Sequence, residues 1–110
     1  MAYDEALAER IRVAISDESG VRERKMFGGL AFTLNGNLAV GAYKDGGLMI
    51  RCSSDKWQSF LAKDGARPML RKDTPVSGWV LIAADAVQDD PSLGEWVRRG
   101  LDHAAAQPPK

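Results

Sequence analysis

The run from Arg24 to Cys52 constrains the fold of this chain more than any other stretch. It contains three short apolar segments separated by two glycine-bearing turns, Asn35-Gly36-Asn37 and Asp45-Gly46-Gly47. Asparagine or aspartate followed by glycine, between alternating apolar residues, is the strongest short-range signal of a β-hairpin. The run therefore predicts a three-stranded antiparallel meander around which the other elements pack.

The register of this meander follows from the requirement that its apolar side chains share one face. A three-residue loop at the first turn places Asn37 in the left-handed region and pairs Phe32 with Val40. The same reasoning at the second turn pairs Ala42 with Ile50. A slip of one residue would send every side chain to the opposite face. The predicted core face consists of Leu30, Phe32, Leu34, Leu38, Val40, Ala42, Leu48, Ile50 and Cys52.

The opposite face of the meander is small and mixed in character. Its only large apolar side chains are those of Met49 and Tyr43. Such a face suits either water or a partner, and the residues leave both interpretations open. The full set is Ala31, Thr33, Ala39, Gly41, Tyr43, Met49 and Arg51.

Periodic segments on both sides of the meander predict helices and further strands. Tyr3 to Asp17 has the apolar spacing of a helix, a second helix starts at Ser53 or Ser54, and Asp90-Pro91 opens a third. Gly78 to Ala84 reads as a buried strand. With a short strand at Met69 to Lys72, the order is α-β-β-β-α-β-β-α, which favours an α+β fold with an antiparallel sheet and flanking helices.

The length of 110 residues predicts one domain, which we place at residues 3–106, followed by a disordered tail at 107–110. The Gly28-Gly29 pair interrupts the first strand and predicts a β-bulge. Gly100 lies inside the last helix, where glycine costs about 1 kcal/mol relative to alanine. We therefore expect a close contact between that helix and another element.

Charge and cysteine content point to a cytoplasmic protein. Fifteen basic residues balance fifteen acidic ones, so no net charge attracts the chain to nucleic acid or anionic lipid. The single cysteine cannot form an internal disulfide bond. No apolar run approaches the roughly 20 residues that span a bilayer, so we expect no membrane partner.

We predict no catalytic, cofactor-binding or metal-ligating residues. His103 is the only histidine and has no second ligand at metal spacing. Cys52 falls on the core face without a neighbouring base. The Gly28-Gly29 pair leads into a strand rather than into the helix that a phosphate loop requires. The aspartates near the last helix lack the alternating ligands of a calcium loop; they are Asp85, Asp89 and Asp90.

Three motifs together resemble the N-terminal domain of the TfoX/Sxy family: Arg24-Lys25-Met26-Phe27-Gly28-Gly29-Leu30, Asn35-Gly36-Asn37 and Gly78-Trp79-Val80. The similarity extends from about Tyr3 to Ala106. The family takes its name from regulators of natural competence in bacteria, in which a helical domain follows this one. We expect a stand-alone domain that lacks the helical one. The resemblance implies an α+β fold similar to secretion chaperones, commonly dimeric, and it transfers no catalytic residue.

The resulting hypothesis is a non-enzymatic interaction domain, forming a homodimer and binding a protein partner. That partner would be a component of the transcription machinery or a protein carrying the helical domain. The predicted contact surface is Arg24, Lys25, Phe27, Gly28, Gly29, Tyr43, Met49 and Arg51.

Two alternatives stay open. One is a small-molecule-binding protein or enzyme with a pocket near the Gly28-Gly29 bulge. The other is weak direct DNA binding through Arg22, Arg24 and Lys25. Interleaved acidic residues make DNA the less favoured partner.

Overall fold

The computed structural model describes residues 3–110 and contains three α-helices and a six-stranded sheet. In chain order the elements are α1 (Glu5–Ala14), β1 (Val21–Met26), β2 (Gly29–Leu34), β3 (Asn37–Ala42), β4 (Leu48–Arg51), α2 (Ser54–Leu61), β5 (Ala66–Arg71), β6 (Thr74–Ile82), a short 3₁₀ helix (Ala84–Val87) and α3 (Asp90–Ala106). The strands lie in the order β1-β2-β3-β4-β6-β5, and every neighbouring pair is antiparallel.

The predicted α+β class, with an antiparallel sheet and flanking helices, is confirmed. The sheet contains one strand beyond the predicted order, because Val21–Met26 pairs along its whole length with β2. Among residues 3–110, no helix is both long and apolar enough to cross a bilayer.

The Gly28-Gly29 bulge was a wrong prediction, because Gly28 lies in a hairpin turn and Gly29 is the first residue of β2. Phe27 and Gly28 have φ angles of 53° and 73°. Met26 pairs with Gly29 directly across them. Two successive positive φ angles are the signature of the two-residue type I′ turn, which suits the twist of a hairpin. Phenylalanine is an unusual first residue for this turn, so the sequence carried no hairpin signal there.

The β2–β3 turn is also shorter than predicted. Asn35 and Gly36 take the positive φ angles, 53° and 85°, and Leu34 pairs with Asn37. The prediction of a three-residue loop with Asn37 in the left-handed region is therefore wrong. The asparagine-glycine signal for a hairpin is nevertheless confirmed.

A register shift in the same hairpin restores the predicted pairing beyond the turn. Phe32 pairs with Val40 as expected, whereas the next residue, Thr33, pairs with Leu38. Ala39 is the extra residue of a β-bulge. The bulge exchanges two predicted faces: Ala39 lies in the core beneath the helices, and Leu38 lies on the other side of the sheet.

The β3–β4 pairing differs from the prediction by two residues. Ala42 pairs with Leu48 rather than with Ile50, which pairs with Val40. The positive φ angle in this loop belongs to Gly46, at 93°, rather than to the next glycine. Because side chains alternate with a period of two, this shift leaves every β4 residue on its predicted face.

All three helices pack on one face of the sheet and form the main core. Eight of the nine residues predicted for this face belong to it, Leu38 being the exception. Gly100 of α3 lies so close to β3 that a Cβ atom there would overlap the carbonyl oxygen of Ala39. This confirms the close contact that the glycine predicted.

Helix α3 is capped by Asp89, one residue before the Asp90 at which the sequence predicted its start. The carboxylate of Asp89 accepts a hydrogen bond of 2.9 Å from the backbone amide of Ser92. This hydrogen bond holds the pKa of Asp89 below its ordinary value. Pro91 lies in the first turn, where its missing N–H group has no helical acceptor.

The tail at 107–110, for which the sequence predicts disorder, lies against the β2–β3 turn. The backbone amide of Lys110 donates to the carbonyl oxygen of Asn35 at 2.9 Å. The side-chain amide of Asn37 donates to the carbonyl oxygen of Pro108, also at 2.9 Å. These two hydrogen bonds place the tail beside the face of the sheet that lies opposite the helices.

Candidate interaction surface

The face of the sheet opposite the helices holds a second apolar cluster. No residue of α1, α2 or α3 belongs to this cluster, within the described part of the chain. Its centre is nevertheless buried: Ala31, Met49, Met69 and Leu81 are at most 5 % exposed. Half-buried apolar side chains surround that centre, namely Met26, Leu38, Tyr43, Val76 and Trp79. We call this surface the helix-free face.

Small residues create a depression in the helix-free face. One row of directly paired residues crosses the sheet as Arg24, Ala31, Gly41, Met49, Leu81 and Arg67. A Cβ atom at Gly41 would approach the terminal methyl of Met49 to 2.6 Å. The absence of a side chain at Gly41 therefore leaves space for the side chain of Met49. The long side chains of the row stand at its two ends, Arg24 and Arg67, and the small residues between them form the depression.

The β5–β6 hairpin covers part of this depression because it bends. Gly78 has a φ angle of 87°, and a Cβ atom there would lie 2.8 Å from the guanidinium of Arg51. Opposite this bend, the register of β5 shifts next to Met69. The hairpin tip then packs Met69 and Val76 into the apolar cluster of the helix-free face.

Trp79 is the central side chain of this surface. Its ring meets the ring of Phe27 edge-on, with centroids 5.3 Å apart. The guanidinium carbon of Arg51, its cross-strand neighbour, lies 5.4 Å from the same ring centroid. On the other side of the sheet, the indole N–H of Trp57 in α2 donates to the carbonyl oxygen of Trp79 at 2.9 Å. The helices therefore fix the strand from which this ring projects.

Two cavities open on either side of Trp79. The first, of about 530 Å³, lies between Arg24, Arg51 and the tail at 107–110. The second, of about 550 Å³, lies between the β1–β2 turn and the β5–β6 hairpin tip. Phe27 and Leu70, at the rim of the second cavity, are 48 % and 56 % exposed.

The lysine, arginine, aspartate and glutamate side chains around these cavities have one sign. Arg24, Arg51 and Lys110 line the first cavity, and Lys44 and Arg71 line the second. No aspartate or glutamate side chain lines either one, among residues 3–110. None of these five cations lies within ion-pair distance of a described carboxylate side chain. The chain has no net charge, so its fold produces this local excess.

The neighbouring carboxylates are engaged elsewhere. Glu23, next to Arg24 in sequence, lies on the helical side and accepts from Arg12 of α1 at 2.7 Å. That hydrogen bond lowers the pKa of Glu23. Asp45 forms an ion pair with Arg67 at the edge of the sheet. The five cations of the cavities therefore have no carboxylate side chain as a partner among the described residues.

The structure brings together part of the predicted contact surface. Arg24, Phe27, Tyr43 and Arg51 all line the cavities of the helix-free face. Lys25 pairs with a core residue of β2 and so projects from the opposite face.

The other three residues predicted for the contact surface form part of the sheet or of its β1–β2 turn. Met49 is fully buried, and Gly29 is buried at the start of β2. Gly28 lies in the turn, where a Cβ atom would contact the side chain of Lys44 at 3.1 Å. Met49 and Gly29 therefore shape the surface from beneath, whereas Gly28 is exposed in the turn at its edge.

Lys44, Leu70 and Trp79 line the second cavity but were not predicted for the contact surface. Tryptophan on an apolar strand is usually buried, so no pattern marked Trp79 for this surface. Leu70 and Arg71 lie in a segment for which the sequence assigned no face. Only the bend at Gly78 brings that segment over the sheet.

Cys52 and His103 line a smaller cavity of about 180 Å³ at the start of α2. Burial raises the pKa of the Cys52 thiol, which keeps it protonated and poorly nucleophilic. The described residues contain no group of three or more side chains arranged to hold a metal ion. This pair of residues therefore carries no catalytic assignment.

We expect the Cys52 thiol to react slowly in the folded protein. The side chain is 2 % exposed, so a disulfide reagent reaches it only through local opening of the structure. At neutral pH the reaction is expected to be at least about 100-fold slower than in urea, equivalent to an opening free energy of roughly 3 kcal/mol. Spectrophotometric thiol titration measures both rates. A native rate equal to the rate in urea would contradict the buried position.

His103 is expected to make stability fall in acid. Burial lowers the pKa of its imidazole, and the charges of Arg51 and Lys56 lower it further. The folded state therefore binds this proton less tightly than the unfolded state. Stability conferred by the neutral ring is present above the ordinary pKa of about 6.5 and is lost as the pH falls below it. Urea unfolding at several pH values should show a shallower acid decline in His103→Gln, and identical declines would contradict this prediction.

Comparison with known families agrees with this architecture. A family model described as the TfoX N-terminal domain matches residues 14–104. That range contains all six strands, α2 and most of α3. Comparisons with curated proteins and with solved structures gave no match. The match covers most of the 110 residues, so the chain belongs to the TfoX N-terminal domain family.

Proposed function

We propose that this protein is a non-enzymatic interaction domain of the regulatory type, and that it contacts a protein partner through the helix-free face. The observation that carries the proposal is the exposure of Phe27 and Leu70 beside one cavity, with free cations around them. Grouped apolar side chains with a polar rim are typical of interaction sites. Membership of the TfoX N-terminal domain family supports the regulatory role.

The composition of the surface supports recognition rather than catalysis. The cavities on both sides of Trp79 are lined by aromatic rings, aliphatic groups and cations. Aromatic and arginine side chains contribute most of the binding energy in protein interfaces. General-base catalysis would instead require a titratable base hydrogen-bonded to a nucleophile. The first cavity is lined by His103 and by the hydroxyl of Thr33, and that hydroxyl donates its hydrogen bond to the carbonyl oxygen of Arg22.

Site-specific photo-crosslinking tests the proposal. A photoreactive phenylalanine analogue replaces Leu70 on the helix-free face, and in a control protein it replaces Val13. Val13 is 67 % exposed on α1, on the opposite side of the sheet, which makes it a matched position. In an extract of the source organism, we expect a discrete protein adduct only from position 70. Excess unlabelled wild type should suppress it, and Trp79→Ala should weaken it.

The same experiment identifies the partner class. A component of the transcription machinery, or a protein that carries a helical domain of the kind found in the competence regulators, is the partner we propose. If positions 70 and 13 gave the same set of protein adducts, the helix-free face would have no specific protein partner, and the proposal would be overturned.

A homodimer is the second part of the proposal, carried over from the family resemblance. Sedimentation equilibrium at tens of micromolar protein should give twice the chain mass. We expect the dimer to leave the helix-free face accessible, so crosslinking from position 70 should still reach the other partner. A single-chain mass at that concentration would refute the dimer and leave the partner surface unaffected.

Small-molecule binding is a second candidate function, and the volume of the Phe27 cavity favours it. About 550 Å³ lies within the usual range for ligand sites. A thermal-shift screen of metabolites, repeated on Trp79→Ala, separates the two functions. A compound that stabilises the wild type but not the variant would favour the small-molecule-binding function. If no compound stabilises the wild type, that function is excluded.

A further inference from the structure

We propose that the helix-free face binds an acidic peptide segment with an apolar side chain at its centre. That side chain would enter the cavity between Phe27 and Leu70, and the flanking carboxylates would pair with Arg24, Arg51 and Arg71. This inference rests on the proposed function and specifies the chemistry of its partner.

Charge complementarity carries the acidic part of the inference. The five lysine and arginine side chains that line the two cavities have no aspartate or glutamate side chain beside them in either lining, among the described residues. Arg24, Arg51 and Lys110 lie on one side of Trp79, and Lys44 and Arg71 lie on the other. Guanidinium groups bind carboxylates through paired, charge-assisted hydrogen bonds. A segment with acidic residues on both sides of one anchor matches this distribution.

The second cavity carries the apolar part. Its lining includes the rings of Phe27 and Trp79 and the aliphatic side chains of Leu70 and Val76. Burying a leucine or phenylalanine side chain there would remove the two most exposed apolar groups of this face from water. Such burial is worth about 1.5–3 kcal/mol per large side chain, so we expect the anchor to dominate affinity.

A second copy of this chain is a poor occupant for the same surface. In a two-fold symmetric contact each patch meets its own equivalent. The five cations of one chain would then face the same five cations of the other, with no aspartate or glutamate side chain in the described linings to separate them. Opposed like charges in an interface cost several kcal/mol. The face is therefore suited to a partner of opposite charge.

Single-stranded nucleic acid is less well matched than a peptide. Bases bind by stacking on open aromatic rings along a basic track. Here the ring of Trp79 is already contacted by Phe27 at its edge and by Arg51 over its face. The protein has no net positive charge to attract a polyanion. The peptide is the ligand that the observations favour.

The test uses the full chain and synthetic probes. The acidic probe is a short peptide with a central Leu-Phe pair flanked by aspartate and glutamate. Two control peptides replace the pair by Gly-Ser or the flanks by lysine, and an oligothymidylate tests nucleic acid. Amide NMR spectra locate the binding site, and fluorescence anisotropy gives the affinity.

We expect the acidic probe to shift the signals of Phe27, Leu70 and the indole N–H of Trp79, and to bind less tightly as salt is added. Both control peptides should bind at least about tenfold more weakly, equivalent to about 1.4 kcal/mol. His103, the only histidine, lines the Arg24–Arg51 cavity. Its pKa should rise when acidic groups occupy that cavity.

Charge reversal provides the matched variants. Arg24→Glu should weaken the acidic probe about tenfold, whereas Lys25→Glu, which reverses the next residue on the opposite face, should change affinity less than about twofold. Equal binding of the lysine-flanked or Gly-Ser peptide would overturn the inference. Binding of the oligothymidylate alone, or of no probe, would also overturn it.

The two proposals fail in different ways. If position 70 crosslinks to a partner whose captured segment is neutral or basic, the interaction function stands and the acidic ligand is refuted. If position 70 captures no specific partner, the interaction function itself is refuted.

Discussion

Replacing Phe32 by alanine is expected to lower the free energy of unfolding by about 3–5 kcal/mol. The Phe32 side chain is 1 % exposed and lies among the core residues of β3 and the helices. Its removal leaves a cavity that the packed helices fill only in part. Urea unfolding followed by circular dichroism measures the loss, which is a large fraction of the stability of a domain of this size.

Phe27→Ala is the matched control for that variant. The same side chain is removed a few residues earlier in the sequence, but Phe27 is 48 % exposed and, among residues 3–110, its only aromatic ring contact is with Trp79. We expect a loss of about 1 kcal/mol or less, together with loss of binding at the helix-free face. Similar destabilisation by both variants would mean that Phe27 belongs to the core and not to a contact surface.

Gly100→Ala is expected to destabilise the protein by about 2–3 kcal/mol, although alanine favours the helix by about 1 kcal/mol. The added Cβ atom would overlap the carbonyl oxygen of Ala39. A backbone atom in a paired strand cannot rotate away as a side chain can. Helix α3 would have to move from the sheet and lose part of its packing. Thermal and urea unfolding both report this change.

Gly94→Ala in the same helix separates the two contributions. No atom lies within 4 Å of a Cβ placed at Gly94. Only the helix propensity then changes, and we expect an increase in stability of up to about 1 kcal/mol. If Gly100→Ala also stabilised the protein, the close approach of α3 to β3 would be refuted.

The local signals in the sequence predicted most of the architecture correctly. The Asn35-Gly36 pair marked a hairpin, because few residues other than glycine and asparagine adopt successive positive φ angles. The Phe27-Gly28 turn adopts the same conformation without that signal. The pairing of β1 with β2 along six residues accompanies this turn, and β1 was not predicted as a separate strand.

Which face a residue occupies was predicted less securely than the strand that contains it. One extra residue at Ala39 exchanged the faces of Leu38 and Ala39. A bulge changes the alternation without changing the apolar composition that the sequence displays. The predicted pairing of Phe32 with Val40 was therefore correct, although the length predicted for the β2–β3 turn was wrong.

The sequence by itself determined the α+β class, most of the core face of the meander and the close approach at Gly100. Each of these follows from periodicity or from the chemistry of one residue. The tertiary structure alone decided which residues come together on the proposed contact surface. Gly78 bends β6 and carries Leu70 and Arg71 towards Phe27, a residue from the opposite half of the sheet. Proximity between residues so far apart in the chain depends on the packing of the whole sheet, which no local pattern encodes.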